Sequence, residues 1–488
     1  MRQVRIVALA LLGLGVLLGA GPARRSEAIA PGDVLPGRFI VIVQPGEPAA
    51  AVARDHGVAA SHVFERAGGG FSAALTAEQR DRLQRDPRIN NVVPDRVVRI
   101  AGGSRTPISP AAAGLPTGVS RIDAEQAAPG TSLAVAIIDT GIDLGRSELN
   151  IAGAVSFVTG NTTGQDDNGH GTLVAGTAAG RVMGSGFRGV APGVPVYAVK
   201  VIAGDGTGSL SDVIAGIDWV TAHAAADGIR VANTSFGLSD TNSANCGVTG
   251  VVVGDPLHKA ICDSVAAGVM YAVAAGNAGA DASNTIPAAY PEVVTVSAMG
   301  DSDGRGGHFG GATSWGADDT FASFSNFGAA VRLAAPGVDI LSLVPTGACG
   351  FCDPSGYGIA SGTSLAAPHV AGALVDYAVL HPGASTAGAP GTLAPAALGL
   401  IAQGMPQASS CGFSGDPGSE PMVYVGQPNN QCGPSPSVGG VAEQPDVRAL
   451  PAARSSGGHA TTADFMAVAL VVVTGVGAAW ALRRRKRA

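Results

Sequence analysis

The sequence predicts an α/β protein: a parallel β-sheet covered by helices on both faces, preceded by a small α+β domain. Three observations predict this class. Apolar runs such as LAVAIIDTG and VMYAVAAGN alternate with helical segments such as SDVIAGIDWVTAHAAA over residues 116–405, which is typical of strands buried on both faces. Residues 31–100 differ from this part in composition. At 488 residues the chain is also too long for a single core.

The α+β domain is predicted over residues 31–100. RFIVIVQPG (Arg38–Gly46) is typical of a strand that ends in a Pro-Gly turn, and NNVVPDRVVRI of a later strand. Between them, TAEQRDRLQRDP indicates a polar helix that closes before Pro87. We expect residues 101–115 to be a Gly/Pro/Ser-rich linker and residues 406–464, where the periodicity fades, to be a spacer.

The composition excludes one class of partner. Charged residues make up 14% of the chain, glycines number 72, and the formal net charge is −7. So little charge with so many small residues indicates tight packing, since disorder needs high net charge and few apolar residues. The chain offers no basic surface for nucleic acid.

The N-terminus predicts a secretory signal peptide over residues 1–28. Arg2 and Arg5 precede an apolar run, IVALALLGLGVLLGA, and SEA, ending at Ala28, is a candidate cleavage site. The alternative is an uncleaved anchor helix, although the run is short for crossing a bilayer.

The C-terminus predicts a transmembrane helix over residues 465–482. Its 18 uncharged, mostly apolar residues run directly into RRRKR, and about 18 residues at 1.5 Å each suffice for a hydrocarbon core of about 30 Å. The basic tail, residues 483–488, is expected in the cytoplasm, which leaves everything upstream outside. A buried core helix is the alternative.

Six cysteines in an exported chain favour disulfides. Their positions suggest three local pairs: Cys246 with Cys262, Cys349 with Cys352, and Cys411 with Cys432. The CxxC of GACGFCD could instead serve a redox or metal function, but no second CxxC completes a zinc site.

Three residues are candidates for chemistry. Asp139 directly follows an apolar strand, where ligands bind in parallel sheets. His170 stands between two glycines at the start of a small-residue helix, and Ser364 stands at the start of another. Each also has a structural interpretation: a turn-forming aspartate, a packing histidine and a helix-capping serine.

Helix geometry decides which histidine can serve Ser364. His369 lies five residues further along the same helix, so it is rotated by about 140° and displaced by about 7.5 Å. It is therefore expected to be a packing residue, and His170 is the better candidate for a base. Gly362 leaves room for a substrate to approach, and a helix N-terminus presents N–H groups to a developing negative charge.

Four motifs, DTGID, NGHGTLVAGT, AAGN and GTSLAAPHVAG, together resemble the subtilisin-like (peptidase S8) serine proteases in type and order. The resemblance covers about residues 116–405 and implies a seven-stranded parallel sheet. It implies that Ser364 is the nucleophile, that His170 is the general base and then acid, and that Asp139 orients the imidazole.

The same resemblance implies further site residues. The Asn277 side-chain amide would join the Ser364 N–H group in an oxyanion hole, where a lost donor costs about 10²–10³ in rate. Substrate would pair with an edge segment and contact the turn before Asn277; these residues are Ser235, Phe236, Gly237, Ala275 and Gly276. The floor of the specificity pocket would lie near Asn284 and Thr285, where Asp281 is the nearest charge, which favours neutral substrate side chains.

The chain departs from the family pattern in two places. Family members often bind structural calcium, and Glu148 is a weak candidate ligand, but Met183 stands where an amide oxygen would help. We expect no cofactor to be required for the chemistry. An inserted segment, GDSDGRGGHFGGATSWGADDTFAS, follows VVTVSAM and is expected at one rim of the cleft.

The N-terminal α+β domain resembles an inhibitory propeptide of the I9 type, whose last strand would lie product-like in the cleft until cut. The sequence therefore predicts an exported, membrane-tethered serine endopeptidase that processes itself from a zymogen. We expect a monomer with polypeptide substrates and its own propeptide as inhibitor. The alternatives are a catalytically inactive surface-binding module, an accessory role for the α+β domain, and a C-terminal sorting signal, suggested by Gly457 and Gly458, in place of a retained anchor.

Overall fold

The computed structural model describes residues 30–100, 105–107, 114–126, 131–241, 246, 254–407, 409 and 411–426. The predicted signal peptide, transmembrane helix and basic tail lie outside these residues, as does Cys432. Within the described part of the chain, no helix has both the length and the apolar character needed to cross a membrane.

The N-terminal domain has the predicted α+β composition: it is an antiparallel sheet with two helices, of which α2 was predicted and α1 was not. Its strands are β1 (Val34–Val43), β2 (His62–Phe64), β3 (Gly70–Ala74) and β4 (Ile89–Ile100), and its helices are α1 (Ala49–Asp55) and α2 (Ala77–Leu83). The strand order is β4-β1-β3-β2. Val41, Val52, Phe71 and Leu83 are fully buried in its core. A capping box between Thr76 and Gln79 begins α2 where the sequence changes from apolar to polar.

The main domain contains seven parallel strands, in agreement with the prediction. In spatial order they are β7 (Asn150–Ser156), β8 (Pro195–Lys200), β6 (Ala134–Asp139), β10 (Ile229–Thr234), β12 (Met270–Ala274), β14 (Val294–Gly300) and β16 (Leu333–Pro336). Every neighbouring pair among them runs parallel. A short strand, β15 (Thr320–Phe321), pairs antiparallel with the end of β14.

Helices cover both faces of this sheet. They are α3 (Thr117–Arg121), α4 (His170–Ala179), α5 (Leu210–His223), α6 (Pro256–Ala266), α7 (Thr363–Leu380) and α8 (Pro395–Gln403). The first face packs α3, α4, α7 and α8, and the second packs α5 and α6. Strand β6 explains the continuous apolar runs: Val135 and Ile137 belong to the first core, whereas Ala136 and Ile138 belong to the second. Since successive side chains of a strand point to opposite faces, both faces demand apolar residues.

Further short strands lie outside the main sheet: β5 (Arg105–Pro107), β9 (Thr207–Ser209), β11 (Phe236–Ser239), β13 (Thr285–Ile286), β17 (Ile340–Leu343) and β18 (Tyr357–Ala360). Strand β4 of the N-terminal domain pairs antiparallel with β9 and β11, and β5 pairs antiparallel with β18. Thus β5 forms a strand within the segment predicted to be linker.

The interpretation of a spacer from residue 406 onward differs from the structure. Residues 411–426 run along the edge of the main sheet, where Val423 N donates to Ala334 O at 2.8 Å and Val425 N donates to Ile122 O at 3.0 Å. Phe413 and Met422 are buried in a cluster with Met299 of β14. The reason is that a few apolar side chains anchor a segment whose average composition is that of a linker.

Two predicted disulfides are present, Cys246–Cys262 and Cys349–Cys352. Cys411 is also disulfide-bonded, and its predicted partner, Cys432, lies outside the described residues. The CxxC of GACGFCD is therefore a disulfide rather than a pair of metal ligands.

A buried arginine joins three parts of the main domain. Arg121 of α3 donates from Nε to Asp319 Oδ1 at 2.7 Å, and from Nη2 to the carbonyl oxygens of Cys411 at 2.9 Å and Gly412 at 2.7 Å. Asp301 Oδ1 lies 3.7 Å from the same Nε. Asp301 and Asp319 belong to the inserted segment, so this segment is held against α3 and against residues 411–426, which we call the C-terminal strip.

Replacing Arg121 by Met should therefore destabilise the folded protein by about 3–5 kcal/mol, because it leaves the buried carboxylates of Asp301 and Asp319 without their cation. Urea unfolding of both proteins in a Ser364→Ala background, which prevents self-digestion, measures the difference. Arg181→Met is the matched control: Arg181 is exposed, so its loss should cost under about 1 kcal/mol. Equal losses for the two variants would contradict the role given to Arg121.

Candidate active site

Asp139 and His170 form a buried pair at the carboxyl end of the sheet. Asp139 is the last residue of β6, His170 is the first residue of α4, and His170 Nδ1 lies 2.8 Å from Asp139 Oδ1. Among the described residues, the other ring nitrogen, His170 Nε2, has no hydrogen-bond partner. The pair therefore holds one side of the imidazole and leaves the other side available to accept a proton.

The turn before α4 is organised by Asp166, which the sequence reasoning missed. Its Oδ1 accepts from Thr140 Oγ1 at 2.9 Å and Gly169 N at 2.8 Å, and its Oδ2 accepts from Thr172 N at 2.9 Å. Burial raises the pKa of this carboxyl, and these donors counteract the shift. Asp166 thus links the end of β6 to the first turn of the His170 helix.

Gly171 explains why a glycine follows the histidine. A methyl group built on Gly171 would lie 2.0 Å from the carbonyl oxygen of Gly141, which is closer than atoms can approach. Only glycine lets α4 start directly against the turn after β6, and that contact brings His170 to Asp139.

The ionisation of His170 is set by two opposing effects. Burial by itself lowers the pKa of this imidazole, but the charge and hydrogen bond of the Asp139 carboxylate, together with the charge of Asp166, raise the pKa above its usual value. A raised pKa makes His170 a stronger base, which favours its acceptance of a proton from a nucleophile.

Ser364 lies in the first turn of α7, next to the start of α4. Leu173 of α4 and Leu365, which follows Ser364, belong to one buried cluster. The carbonyl oxygen of Ser364 accepts a hydrogen bond from Ser235 Oγ at 3.1 Å. A methyl group built on Gly362 would lie 3.0 Å from Ser364 Oγ and 3.3 Å from Asn277 Nδ2. The serine hydroxyl and the asparagine amide thus share the space beside Gly362.

Thr363 sets the orientation of the Asn277 amide. Both Thr363 N, at 2.9 Å, and Thr363 Oγ1, at 2.8 Å, donate to Asn277 Oδ1. Since the amide oxygen is occupied by these donors, the Nδ2 donor faces Gly362 and Ser364. Sequence reasoning found Asn277 but missed Thr363, although it lies inside the GTSLAAPH motif.

Asn326 is a second supporting residue that the sequence did not reveal. Its Oδ1 accepts from Ala278 N at 3.0 Å and Ala280 N at 3.1 Å, and its Nδ2 donates to Ala275 O at 2.9 Å. A methyl group on Gly276 would lie 2.4 Å from Asn326 Nδ2. This asparagine therefore shapes the whole turn that carries Asn277, and it requires glycine at position 276.

His369 lies away from the serine, as helix geometry predicted. It is fully buried, its Nδ1 lies 2.8 Å from Leu365 O one turn earlier, and a methyl group on Gly118 would lie 2.4 Å from its Nε2. Burial lowers the pKa of His369 to about 4. It is a neutral packing residue between α3 and α7.

This histidine should make the folded protein sensitive to acid. Between pH 6.5 and 4, His369 binds a proton in the unfolded chain but stays neutral in the folded protein. The free energy of unfolding therefore decreases as pH falls through this window. A shift from 6.5 to about 4 corresponds to about 3 kcal/mol.

We expect His369→Gln to flatten the dependence of unfolding free energy on pH over this window by about 3 kcal/mol. Burial raises the pKa of Asp376 to about 7, which has the opposite effect on stability, so only the difference between variant and wild type isolates His369. His381→Gln, at an exposed position, is the control. Parallel pH curves for wild type and His369→Gln would contradict the assignment.

The cleft has two strand edges, of which the sequence predicted one. Phe236 and Gly237 of β11 lie opposite Ile100 and Arg99 of β4, whereas Ser235 points its hydroxyl into the protein towards Ser364 O. The other edge, β9, pairs with residues 97–99 of β4; no sequence motif marked it. The last strand of the N-terminal domain, β4, therefore pairs with both strand edges, β9 and β11, as a bound extended peptide would.

The residues predicted for the floor of the specificity pocket, Asn284 and Thr285, lie beside strand β11. Thr285 begins β13, which pairs with β11, and Asn284 ends a single 3-10 turn. Asp281 caps this turn by accepting from Ser283 N at 2.9 Å, and that hydrogen bond lowers the pKa of its carboxyl. Ala275 is fully buried at the end of β12.

The residues at the expected calcium position do not fit a cation. Glu148 Oε1 accepts from Arg146 Nη2 at 2.8 Å, so a guanidinium already neutralises the candidate ligand. The neighbouring loop offers the thioether of Met183, whereas calcium requires oxygen ligands. A separate acidic group, Asp301, Asp303 and Asp318, accepts hydrogen bonds from its own loops, such as Gly310 N to Asp318 at 2.8 Å.

Residues 130–397 match the subtilase family (Peptidase S8). The chain belongs to the subtilase family. Residues 47–101 match the peptidase inhibitor I9 family. The protein is therefore a subtilisin-like serine peptidase with an I9 propeptide, which confirms both resemblances and the predicted fold class.

Individual proteins are similar to this chain. The chain is 36% identical over 307 residues to an alkaline protease of Alkalihalobacillus alcalophilus, covering 62% of this chain and 67% of that protein. It is 38% identical over 263 residues to subtilisin BL of Lederbergia lenta, covering 53% and 82%. A crystal structure of a cold adapted subtilisin-like serine proteinase shares 30% identity with a TM-score of 0.48, covering 64% of this subtilase and 99% of that chain.

Proposed function

We propose that this subtilase is a serine endopeptidase that releases itself from its own propeptide. The observation that carries the proposal is the path of the uncut chain. Strand β4 lies between the cleft edges β9 and β11, and β5, which follows it, pairs with β18. Ser364 comes four residues after the end of β18, and Ser235, which precedes β11, donates to Ser364 O at 3.1 Å, so β4 and β5 both pair with strands next to the candidate nucleophile.

In this proposal Ser364 Oγ attacks the peptide carbonyl carbon to form an acyl-enzyme, and His170 Nε2 accepts its proton and returns it to the leaving amine. Asp139 keeps the neutral imidazole protonated on Nδ1 and stabilises the imidazolium. The developing oxyanion accepts from Asn277 Nδ2 and from the Ser364 N–H group at the start of α7. Every group in this sequence belongs to the chain itself.

Substrates are proposed to be polypeptides that bind as extended strands, as β4 does, with Phe236 and Gly237 on one side and β9 on the other. Near Asn284 and Thr285, the Asp281 carboxylate is engaged in capping its own turn. Asp240, whose N donates to Asn284 O at 3.2 Å, is paired with Arg96. This favours neutral side chains before the cut bond. A peptide-library cleavage profile dominated by Lys or Arg at that position would contradict the preference.

Self-processing should leave a new N-terminus between residues 101 and 105. In sequence, these residues join the end of β4, which pairs with β11, to β5, which pairs with β18 four residues before Ser364. N-terminal sequencing of the purified wild-type protein measures the position, and Ser364→Ala should remain uncut. A first cut elsewhere, or the same cut in Ser364→Ala without added protease, would contradict the proposal.

We further propose that residues 1–28 export the protein and that residues 465–482 tether it to the membrane, with a cytoplasmic basic tail. The support is the apolar run after Arg2 and Arg5 at one end and the apolar run before RRRKR at the other. Mass spectrometry of the mature C-terminus tests retention of the tail: a chain ending at Ala488 excludes removal as a sorting signal.

A further inference from the structure

The loop closed by Cys349 and Cys352 lies directly against the turn that precedes His170. Phe351 N donates to the carbonyl oxygen of Asn168 at 2.9 Å. Cys349 Sγ lies 3.0 Å from the same oxygen, a contact without a proton because the sulfur is in a disulfide. The loop therefore holds the backbone two residues before the proposed base.

Phe351 also contacts the histidine itself. Its ring centroid lies 6.0 Å from that of His170, with the rings inclined at 70° in an edge-to-face arrangement. A methyl group built on Gly169 would lie 2.6 Å from Phe351 Cβ, so the two backbones meet closely and the glycine is required. The Phe351 ring is half-buried against the cluster that contains Leu173 and Leu365.

The disulfide limits how far this phenylalanine can move. Cys349 and Cys352 are three residues apart, with their Cα atoms 4.8 Å from each other, so Phe351 sits in a ring of four residues. Asp139 holds the imidazole at Nδ1, and His170 Nε2 has no hydrogen-bond partner among the described residues. Contact with Phe351 is therefore a second constraint on the ring, independent of Asp139.

The position of the loop indicates which step it serves. Strand β18 begins five residues after Cys352, and its edge pairs with Arg105–Pro107, the chain beyond the bond proposed to be cut. This is the side from which the leaving amine departs, and His170 must be aimed there to return its proton.

We propose that the Cys349–Cys352 loop is a positioning element that uses Phe351 to aim His170 at the leaving group. The inference rests on the proposed catalytic role of His170. Its consequence is specific: breaking of an amide, whose amine must be protonated to leave, depends on the loop more than breaking of an activated ester, whose leaving group departs without a proton.

The test compares Phe351→Ala, Phe351→Leu and the Cys349→Ser/Cys352→Ser double variant with wild type. Each mature enzyme is quantified by a fluorophosphonate that labels the reactive serine, and then assayed on a peptide p-nitroanilide and on the p-nitrophenyl ester of the same peptide. Melting temperatures are recorded for all. The Cys246→Ser/Cys262→Ser variant, which removes the disulfide far from His170 in sequence and outside the site, is the control.

We expect Phe351→Ala and the Cys349/Cys352 variant to lower kcat on the anilide about tenfold, since small misplacements of catalytic groups have effects of this order or larger. KM and the ester rate should change less than about threefold, with Phe351→Leu in between and the control close to wild type. Unchanged anilide rates would overturn the inference, and so would equal losses on both substrates, which mark a merely structural role. A wild-type protein that is not labelled by the fluorophosphonate would overturn the proposed function itself.

Discussion

Ser364→Ala should abolish peptide hydrolysis, lowering kcat by about 10⁶, the size of the loss that removal of the nucleophile causes in subtilisin itself. Alanine has no hydroxyl to form the acyl-enzyme, and the neighbouring groups cannot supply one. The substitution should be mild for folding, because alanine is smaller by one oxygen atom and keeps the backbone carbonyl that accepts from Ser235 Oγ at 3.1 Å. The loss would then be one of chemistry alone.

Casein hydrolysis and propeptide removal are the two measurements for this variant. Ser385→Ala, in the loop after α7 at an exposed position, is the matched control and should keep wild-type activity within about twofold. If purified Ser364→Ala still removed its own propeptide and cleaved casein, the assignment of the nucleophile would be wrong. A wild type that is equally inactive would instead favour the surface-binding module.

Asp139→Asn should lower kcat by about 10⁴ while leaving the fold intact. The amide that replaces the carboxylate donates to His170 Nδ1, which places the ring proton on Nε2, where the base must accept one. The buried pair, 2.8 Å apart, also loses the negative charge that stabilises the imidazolium. Both effects act on the transition state, so KM should change little.

The pH profile gives this prediction a second measurement. In the wild type, Asp139 raises the pKa of His170, so kcat/KM should fall as pH decreases through a value above the usual 6.5 for histidine. Without the carboxylate, burial has the larger effect on the pKa of His170. The acidic limb of the kcat/KM profile should therefore move to lower pH in Asp139→Asn. Asp143→Asn, at a partly exposed carboxylate that accepts from Gly145 N at 3.1 Å, should leave the limb in place. A limb that does not move in Asp139→Asn would show that this aspartate does not set the ionisation of the base.

Most of the fold could be predicted because its signals are local. The strands of the main sheet are apolar on both faces, so each appears as a continuous apolar run, and four motifs in order indicate the family. The C-terminal strip was misjudged because a spacer was inferred from average composition. Phe413 and Met422 bury enough apolar surface to anchor residues that are otherwise Gly- and Pro-rich.

The candidate site also contains some residues that the sequence predicts and others that it does not. Asp139, His170, Asn277 and Ser364 each stand in a recognisable motif. Asp166 and Asn326, which support them, do not, because a hydrogen bond depends on which chain segment lies opposite, and sequence spacing does not reveal that. Asp166 and Asn326 are ordinary polar residues in loops, and each becomes informative only through its bonds to a distant turn.

The sequence by itself determined the α/β class, the order of the three candidate catalytic residues and the exclusion of His369, since helix periodicity depends only on the number of intervening residues. Only the tertiary structure decided what lies beside them. It places the Arg146 guanidinium beside Glu148, the residue predicted as a weak calcium ligand. It also pairs β4 with two strand edges and packs the Cys349–Cys352 loop against His170. The last two contacts join residues far apart in the chain, and their partners are selected by packing over the whole domain.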